Sequence, residues 1–208
     1  SAGASPVTEG TGSYTTEATR TATRLTLAPR ETPQSVSVIT RQVMDDFAVE
    51  SITDVVNMTT GVSSKAFDSS RNGFSARGFD ITNLMVDGVP TTWSAGWAAG
   101  ETQMDTLLYD RVEVVRGATG LVTGAGNPSA AINMVRKRAD SVQPRGFVSG
   151  QVGSWDRYQG TLDVSGALHD SGRIRGRVVG SYLEEDSYVD LAENEKKVLL
   201  GTLGIDLT

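Results

Sequence analysis

RVEVVRGATGLVTGAGNPSAAINMVRKR, residues 111–138, is the most informative stretch of this chain. Two short β-like runs, residues 112–115 and 131–135, flank a connection rich in Gly, Ala, Ser and Thr that opens after Arg116. Because glycine has no Cβ, such a connection tolerates positive φ angles and a close approach of one backbone to another. The two runs predict strands that complete a small mixed sheet.

The composition of the chain indicates a folded protein and excludes several functional classes. The chain has 208 residues, 23 of them glycine, no cysteine, and a formal net charge of −6. The absence of cysteine excludes disulfides and thiolate metal sites, and an acidic chain disfavours general nucleic-acid binding, which needs a basic face. No apolar run approaches the ~20 residues that a transmembrane helix requires. No signal peptide is present, so we expect the chain to begin at or after a processing site.

The N-terminal part of the chain predicts a flexible leader followed by the first regular structure. Residues 1–25 are rich in Thr, Ser, Gly and Ala and offer few large apolar groups to bury, as is typical of disordered segments. Beyond them, the alternation of residues 35–39 predicts a short strand.

Two short helices are predicted after this strand. Thr40 is a suitable N-cap for a helix over residues 41–47. Ser51, with Asp54 three residues later, predicts a capping box at the start of the second helix, which Gly61 is expected to end. The apolar residues of the second helix form one stripe: Ile52, Val55, Val56 and Met58.

Short strands and long loops are expected between the second helix and residue 115. Residues 74–79 and 84–86 predict strands, and VDGVP at residues 86–90 predicts a tight turn. Residues 91–106 are expected to form an exposed loop. The part of the chain up to residue 140 is therefore an α+β globule with irregular connections.

After residue 140 the sequence alternates with a period of two. Residues 158–165, 173–182 and 199–208, together with 146–153, predict four strands of about 8–11 residues, a length that crosses a bilayer when the strand is tilted. One face of these strands is apolar, and the other carries Arg, Asp, Gln and Thr. A soluble antiparallel sheet with one wet face shows the same alternation, so periodicity alone leaves both possibilities open.

The chain resembles a known family over most of its length. Besides residues 111–138, the stretches ETPQSVSVITRQVMDD, ARGF and VDGVP occur in the same order in the plug domains of TonB-dependent outer-membrane receptors. The resemblance runs from about Thr26 to the C-terminus and is closest to ferric-siderophore receptors of the pyoverdine, coprogen and ferrioxamine type. It implies an α+β plug domain at residues 26–140 and the first antiparallel strands of a transmembrane β-barrel at residues 141–208. Four strands cannot close such a barrel, which has ~22 strands in this family, so we expect the chain to be truncated.

An enzyme is not expected from the residues that could carry chemistry. The single histidine, His169, lies in the predicted turn LHDSG beside Asp170 and Ser171, and neighbours within one turn rarely form a catalytic triad. The glycine-rich loop lacks the Lys-Ser/Thr ending of a P-loop. No catalytic residue and no metal site is predicted, and no covalent cofactor.

Two predicted loops carry residues suited to ligand binding. Trp93 and Trp97 lie four residues apart in TTWSAGWAAG, and large aromatic rings on a polar loop suit stacking on flat ligands. The loop SKAFDSSRNGF presents Arg71, whose guanidinium forms a fixed cationic fork for anionic oxygens. The alternatives are that one tryptophan packs beneath its own loop and that Arg71 pairs with Asp68.

The resemblance extends these candidates. In receptors of the pyoverdine type, an arginine in a D-x-x-R-N-like stretch and a Gly-aromatic pair after D-G-[IV]-P contact the ferric siderophore. The matching residues of this chain are Arg71, Gly96 and Trp97. The loop departs from that pattern around Trp93 and is about one residue shorter.

Two further arginines are expected to have a structural role. Arg77 in ARGF and Arg116 in VVRGATG lie at apolar, glycine-rich strand ends, where a buried guanidinium needs a partner. In the family that the chain resembles, arginines of these motifs pair with barrel glutamates and lock the plug to the barrel.

The resemblance implies a receptor that imports a ferric siderophore across the outer membrane of a Gram-negative cell. The ferric siderophore is the transported ligand, the plug lies inside the barrel lumen, and outer-membrane lipid surrounds the barrel. TonB, energised by ExbB and ExbD, is the implied partner that pulls on a mobile N-terminal segment. A receptor for haem, cobalamin or another nutrient is an alternative, and a soluble envelope ligand-binding module is a second one.

Overall fold

The chain folds as two compact units, Ser1–Arg136 and Lys137–Thr208. A computed structural model describes residues 5–19, 31, 34–67, 71–91, 93, 105–117, 130–154, 156–186 and 193–207. Within these residues, no helix has the length and apolar character needed to cross a membrane.

The described part of the first unit contains two α-helices and eight strands. The helices are α1 (Arg41–Asp46) and α2 (Ile52–Met58), and a short 3-10 helix covers Thr106–Leu108. The strands are β1 (Ser35–Thr40), β2 (Val62–Ala66), β3 (Asn72–Ala76), β4 (Phe79–Asp80), β5 (Asn83–Val86), β6 (Val89–Pro90), β7 (Tyr109–Arg116) and β8 (Ala130–Arg136).

The main sheet of the first unit has β7 and β8 at its centre. Its strand order is β1-β7-β8-β5-β6, and a second, smaller sheet has the order β2-β3-β4. Strand β5 runs parallel to β8, whereas β7 is antiparallel to both β1 and β8. The sheet is therefore mixed, as the two apolar runs of residues 111–138 predict.

The two helices begin where their capping residues predict. The Thr40 side chain accepts a hydrogen bond from the Val43 N–H, and Ser51 and Asp54 form a complete capping box. Helix α2 ends at Met58, three residues before Gly61, which adopts a φ of 77° in the following turn. Of the predicted apolar stripe, Ile52, Val55 and Val56 are buried, whereas Met58 is 41% exposed.

The apolar core of the first unit lies between the helices and the main sheet. Burying this apolar surface is the main stabilising contribution to the unit. The buried residues that form it include Met44, Ile52, Val55, Val56, Phe74, Leu84, Val112, Val114, Ile132 and Met134.

One predicted strand is broken by a tight turn. Residues 74–79 were expected to be continuous, but Arg77 and Gly78 have φ angles of 54° and 81° and separate β3 from β4. A positive φ is uncommon for a residue with a Cβ, so an arginine at position 77 does not predict this turn. The turn VDGVP forms as predicted, since Asp87 and Gly88 have the positive φ angles of a type I′ hairpin between β5 and β6.

Part of the predicted flexible leader packs on the first unit. Thr8, Ala18 and Thr19 are each only 1% exposed. The Tyr14 hydroxyl donates to Asp46 at 2.8 Å, and hydrogen bonds from Gln42 and Tyr14 lower the pKa of Asp46. The polar groups of residues 5–19 thus find hydrogen-bond partners that composition cannot reveal, and the flexibility of residues 1–25 stays a prediction.

The described strands of the second unit form a four-stranded antiparallel meander. They are β9 (Arg145–Gly153), β10 (Arg157–Ala167), β11 (Ile174–Asp186) and β12 (Glu193–Ile205), paired in the order β12-β11-β10-β9. The four predicted strands are confirmed, and β11 and β12 are longer than expected.

The two faces of this sheet have opposite chemistry and an inverted pattern of burial. On one face, Val152 and Leu199 are 80% and 78% exposed. On the other face, Asp163 and Arg177 are 9% and 8% exposed. The sheet thus shields charged groups and exposes aliphatic ones, the reverse of a soluble sheet with one wet face.

A short segment preceding β9, residues 137–140, is attached to the polar face of this sheet. Lys137 is 5% exposed, and its Nζ lies 2.9 Å from Asp163 Oδ2. Arg177 donates to both oxygens of the same carboxylate, at 2.8 and 2.6 Å, and to the carbonyl oxygen of Arg138. Two cations therefore compensate one buried carboxylate and fix the segment.

The segment also depends on a glycine of β12. A Cβ placed on Gly204 would lie 2.6 Å from the carbonyl oxygen of Ala139, closer than real Cβ atoms approach such an atom. The same carbonyl accepts a hydrogen bond from Arg175 Nε. Only glycine therefore lets the segment lie this close to β12.

We expect Gly204→Ala to destabilise the second unit by about 1–3 kcal/mol, because the added methyl group must displace the segment from the sheet. Gly201→Ala is the matched control, since a Cβ at Gly201 meets no atom within 4 Å. Thermal unfolding followed by circular dichroism measures the difference. Equal midpoints for the two variants would contradict the close packing of the segment.

Candidate functional site

The hairpin of β2 and β3 carries two cationic side chains and one aromatic ring near its turn. The Phe67 N–H donates to the carbonyl oxygen of Arg71 at 2.8 Å, which closes the base of the loop. Lys65 Nζ lies 5.9 Å from the centroid of the Phe67 ring, and that ring is 53% exposed. We call Lys65, Phe67 and Arg71 the hairpin tip.

The hairpin tip has the chemistry to bind an anionic ligand with flat groups. The guanidinium of Arg71 is a planar donor suited to pairs of oxygen atoms, and the ammonium of Lys65 adds a second positive charge. The exposed ring of Phe67 offers a surface for stacking. Arg71 itself is half-buried, and its carbonyl oxygen accepts the hydrogen bond that closes the base of the loop.

Trp93 lies in the core of the first unit. It is 6% exposed and stacks on Phe74, with ring centroids 5.6 Å apart and an interplanar angle of 23°. Its indole Nε1 is buried and has no hydrogen-bond partner among the described residues. These contacts favour the packing alternative for Trp93, and its contact with a ligand stays a prediction.

The other two predicted ligand contacts, Gly96 and Trp97, lie outside the described residues. Phe74 belongs to β3, which begins directly after Arg71, whereas Trp93 follows β6. The Phe74–Trp93 stack therefore joins the backbone that leaves the hairpin tip to a residue three positions before Gly96.

Arg77 is exposed in the turn between β3 and β4, and not buried as its apolar motif suggested. The positive φ angles of Arg77 and Gly78 reverse the chain over two residues, which points the arginine side chain away from the core. Its predicted pairing with a glutamate stays a prediction.

Arg116 uses its guanidinium within the first unit. Its Nη1 donates to the carbonyl oxygen of Thr60, and its Nη2 donates to the hydroxyls of Ser35 and Ser37, each at 2.9 Å. These acceptors are neutral, so the positive charge of Arg116 is solvated by hydrogen bonds that join β7 to β1 and to the turn after α2. The predicted lock with a glutamate stays a prediction here too.

A buried charged cluster on β7 was missed by the sequence analysis. Asp110, Arg111 and Glu113 are 4%, 5% and 0% exposed. Arg111 lies 2.6 Å from Glu113 and 2.8 Å from Asp110, measured between the guanidinium nitrogens and the carboxylate oxygens. The alternation Arg-Val-Glu-Val at residues 111–114 was the available signal, because a strand that carries charges on one face needs partners for them there. At the start of the same strand, burial raises the pKa of Tyr109 to about 12.

Comparison with known proteins places the chain in a family. The model of the TonB-dependent receptor plug domain matches residues 28–131, half of the chain. The chain therefore belongs to the TonB-dependent receptor plug domain family, and the α+β fold of its first unit is the fold expected for that domain.

Relatives of high identity are receptors for ferric siderophores. The ferripyoverdine receptor of Pseudomonas aeruginosa is 49% identical over 97% of this chain, and the ferric-pyoverdine BN7/BN8 receptor of Pseudomonas putida is 42% identical over 97%. The chain spans about a quarter of the length of each of these relatives, 25% and 24%.

Solved structures agree with the sequence relatives. The outer-membrane ferripyoverdine receptor of Pseudomonas aeruginosa, bound to ferripyoverdine, matches with a TM-score of 0.92 and 48% identity over 98% of this chain and 27% of its own. The alcaligin outer-membrane receptor of Bordetella pertussis matches with a TM-score of 0.86 and 46% identity, over 99% of this chain and 35% of its own.

Two substitutions of Trp93 distinguish packing from ligand contact. Trp93→Ala removes the ring from the core and is expected to destabilise the first unit by about 3–5 kcal/mol. Trp93→Phe keeps an aromatic ring on Phe74 and removes the buried indole N–H, so it is expected to cost less than about 1.5 kcal/mol. Thermal unfolding and ligand titration of both variants provide the readouts. A loss of ligand affinity in Trp93→Phe with unchanged stability would show a direct contact instead.

Proposed function

We propose that this chain is the plug domain and the first barrel strands of an outer-membrane receptor that imports a ferric siderophore, driven by TonB. The family match and the pyoverdine-receptor relatives support this class of protein. The inverted sheet of the second unit is the structural observation that carries the membrane part of the proposal.

The inverted sheet fits a barrel wall better than a soluble module. Aliphatic side chains of Val148, Val152, Leu199 and Leu203 are 67–80% exposed on one face. Exposing such a contiguous apolar face to water is unfavourable, whereas lipid solvates it. Asp163 and Arg177 on the opposite face then belong to the polar interior of a barrel. A soluble envelope module would place these groups the other way round.

The hairpin tip supports an anionic chelate as the transported ligand. Siderophores bind Fe³⁺ through anionic oxygens of catecholate, hydroxamate or carboxylate groups, and Arg71 and Lys65 bring positive charge to this loop. We propose that Arg71, Gly96 and Trp97 contact the ferric siderophore. Trp93 then supports the second loop from below through its stack on Phe74.

Transport in this proposal breaks no bond in the ligand, so the receptor is not an enzyme. TonB, with ExbB and ExbD, supplies the force through the N-terminal segment. Arg77, which is exposed in its turn, and Arg116, which is partly exposed, pair with barrel glutamates that lie beyond this chain.

The proposal is tested on the full-length receptor with Arg71→Ala. We expect the dissociation constant for ferric pyoverdine to rise about tenfold or more, since a charge-assisted hydrogen bond contributes about 1.5–3 kcal/mol. Arg145→Ala is the matched control, because it removes the same charge from an exposed position of the second unit. Tryptophan quenching gives the affinity, and uptake of radioactive iron in iron-starved cells gives transport.

The choice of titrated ligand separates the proposal from its alternative. Saturable quenching by ferric siderophores together with siderophore-dependent iron uptake supports it. Saturable quenching by haem or a cobalamin alone would assign the receptor to another nutrient. Equal affinities in Arg71→Ala and Arg145→Ala would remove Arg71 from the site while leaving the receptor class unchanged.

A further inference from the structure

The N-terminal leader is attached to β7 through the carboxylate of Asp110. The backbone N–H of Thr8 donates to both oxygens of that carboxylate, with N···O distances of 3.1 Å. The Glu9 N–H donates to Oδ1, with an N···O distance of 2.7 Å. The Thr8 hydroxyl donates to the carbonyl oxygen of Asp110 at 2.9 Å and accepts from the Arg41 N–H at 3.1 Å. One threonine thus bonds to a side chain, a backbone carbonyl and a helix N-terminal amide.

A second attachment lies on the same strand. The Thr19 hydroxyl donates to Oε2 of Glu113, whose side chain is fully buried. We call these contacts of Thr8, Glu9 and Thr19 with Asp110 and Glu113 the leader latch. Between the two attachments, the leader touches α1 and its N-cap through polar groups and through the half-exposed rings of Tyr14 and Phe47.

The buried carboxylates of β7 accept hydrogen bonds from the leader. Asp110 and Glu113 carry two negative charges, and Arg111 between them supplies one positive charge. The hydrogen bonds donated by Thr8, Glu9 and Thr19 stabilise the remaining charge, because N–H and O–H donors to a carboxylate form strong bonds. If the leader leaves, both carboxylates lose the hydrogen bonds that Thr8, Glu9 and Thr19 donate to them.

The leader is held by polar groups, in contrast to the core beneath the sheet. Among its described residues, 5–19, Ala18 is the single buried apolar side chain. Water can solvate every polar group that leader release uncovers, whereas opening the core would expose large aliphatic surfaces. Segments with few buried apolar contacts open at lower free energy than the core around them.

We propose that the leader latch opens as a unit while the apolar core of the first unit stays closed. Opening uncovers and hydrates the acidic face of β7. In a further step, which rests on the proposed function, a pull on the leader reaches β7 at Asp110, so that latch release precedes any rearrangement of the sheet.

Cysteine labelling of the full-length receptor in outer membranes tests the opening. This chain contains no cysteine, and Ala18 and Ala131 are each 1% exposed, one in the leader and one in β8. We expect a maleimide to modify the Ala18→Cys variant at least about tenfold faster than Ala131→Cys, as local opening predicts. Equal rates at the two positions would overturn the proposal.

Two substitutions then assign the opening to the latch. Thr19→Val removes the hydroxyl donor to Glu113, and Asp110→Asn places an amide N–H against the donors that the carboxylate accepts. Each is expected to speed labelling of the Ala18→Cys variant without changing the labelling of Ala131→Cys. Thr15→Val is the control, because the Thr15 hydroxyl is exposed and contacts Ser13 within the leader. Acceleration at both positions would show general destabilisation and contradict a local latch.

A disulfide tests the functional step. The double variant Thr8→Cys with Asp110→Cys, once oxidised, ties the leader to β7 and is expected to abolish iron uptake while siderophore binding persists, with uptake restored by reduction. Ser63→Cys with Ser75→Cys is the control, since these side chains face each other across β2 and β3 at 2.8 Å and leave the leader free.

The outcomes of the disulfide experiment separate the two proposals. Uptake by the oxidised Thr8→Cys, Asp110→Cys variant would overturn latch release as a step in transport. Absence of uptake by the unmodified receptor would overturn the proposed function, while the labelling rates would still decide whether the latch opens.

Discussion

The first unit depends on compensating the buried charges of its central strand, β7. It pairs with β1 along one edge and with β8 along the other, and every residue from Tyr109 to Val115 is buried. Val112 and Val114 pack into the core, whereas Arg111 and Glu113 alternate with them along the strand. A central strand with charges on one face must find partners on that face, because unpaired buried charges cost several kcal/mol. The leader and the Arg111 guanidinium meet that need together, so a segment of low apolar content packs against this strand through hydrogen bonds.

The two units stabilise themselves in opposite ways. The first unit buries aliphatic side chains between its helices and its main sheet. The second unit buries an ion cluster, in which Lys137 and Arg177 share the carboxylate of Asp163, and leaves its aliphatic face open. Each pattern suits a different surrounding solvent. Water favours the first arrangement, with its buried apolar core. Hydrocarbon favours the second, in which the aliphatic face is exposed.

Local patterns in the sequence predicted the elements whose cause is local. The capping box of Ser51 and Asp54 depends on residues three apart, and the period-two alternation of β9–β12 depends on next-nearest neighbours. Features that depend on distant partners escaped prediction. Lys137 is buried because Asp163 lies across from it, 26 residues away, and Thr8 is ordered by Asp110, 102 residues away. The break at Arg77 also escaped, since its positive φ is imposed by the hairpin and not by the preference of arginine. For the candidate site, the position of Trp93 in a predicted polar loop made it a candidate ligand contact. The sequence could not distinguish an exposed ring from one stacked in the core.

The clearance at Gly204 limits how β12 can vary during evolution. In the proposed barrel wall, Leu199 and Leu203 can exchange with other apolar side chains, because lipid imposes no defined shape on them. On the opposite face, the backbone carbonyl of Ala139 occupies the space that any Cβ at position 204 would need. Sequence drift in this strand is therefore unequal on its two sides. A library of receptor variants selected for assembly should retain glycine at 204 while the apolar positions nearby diversify freely.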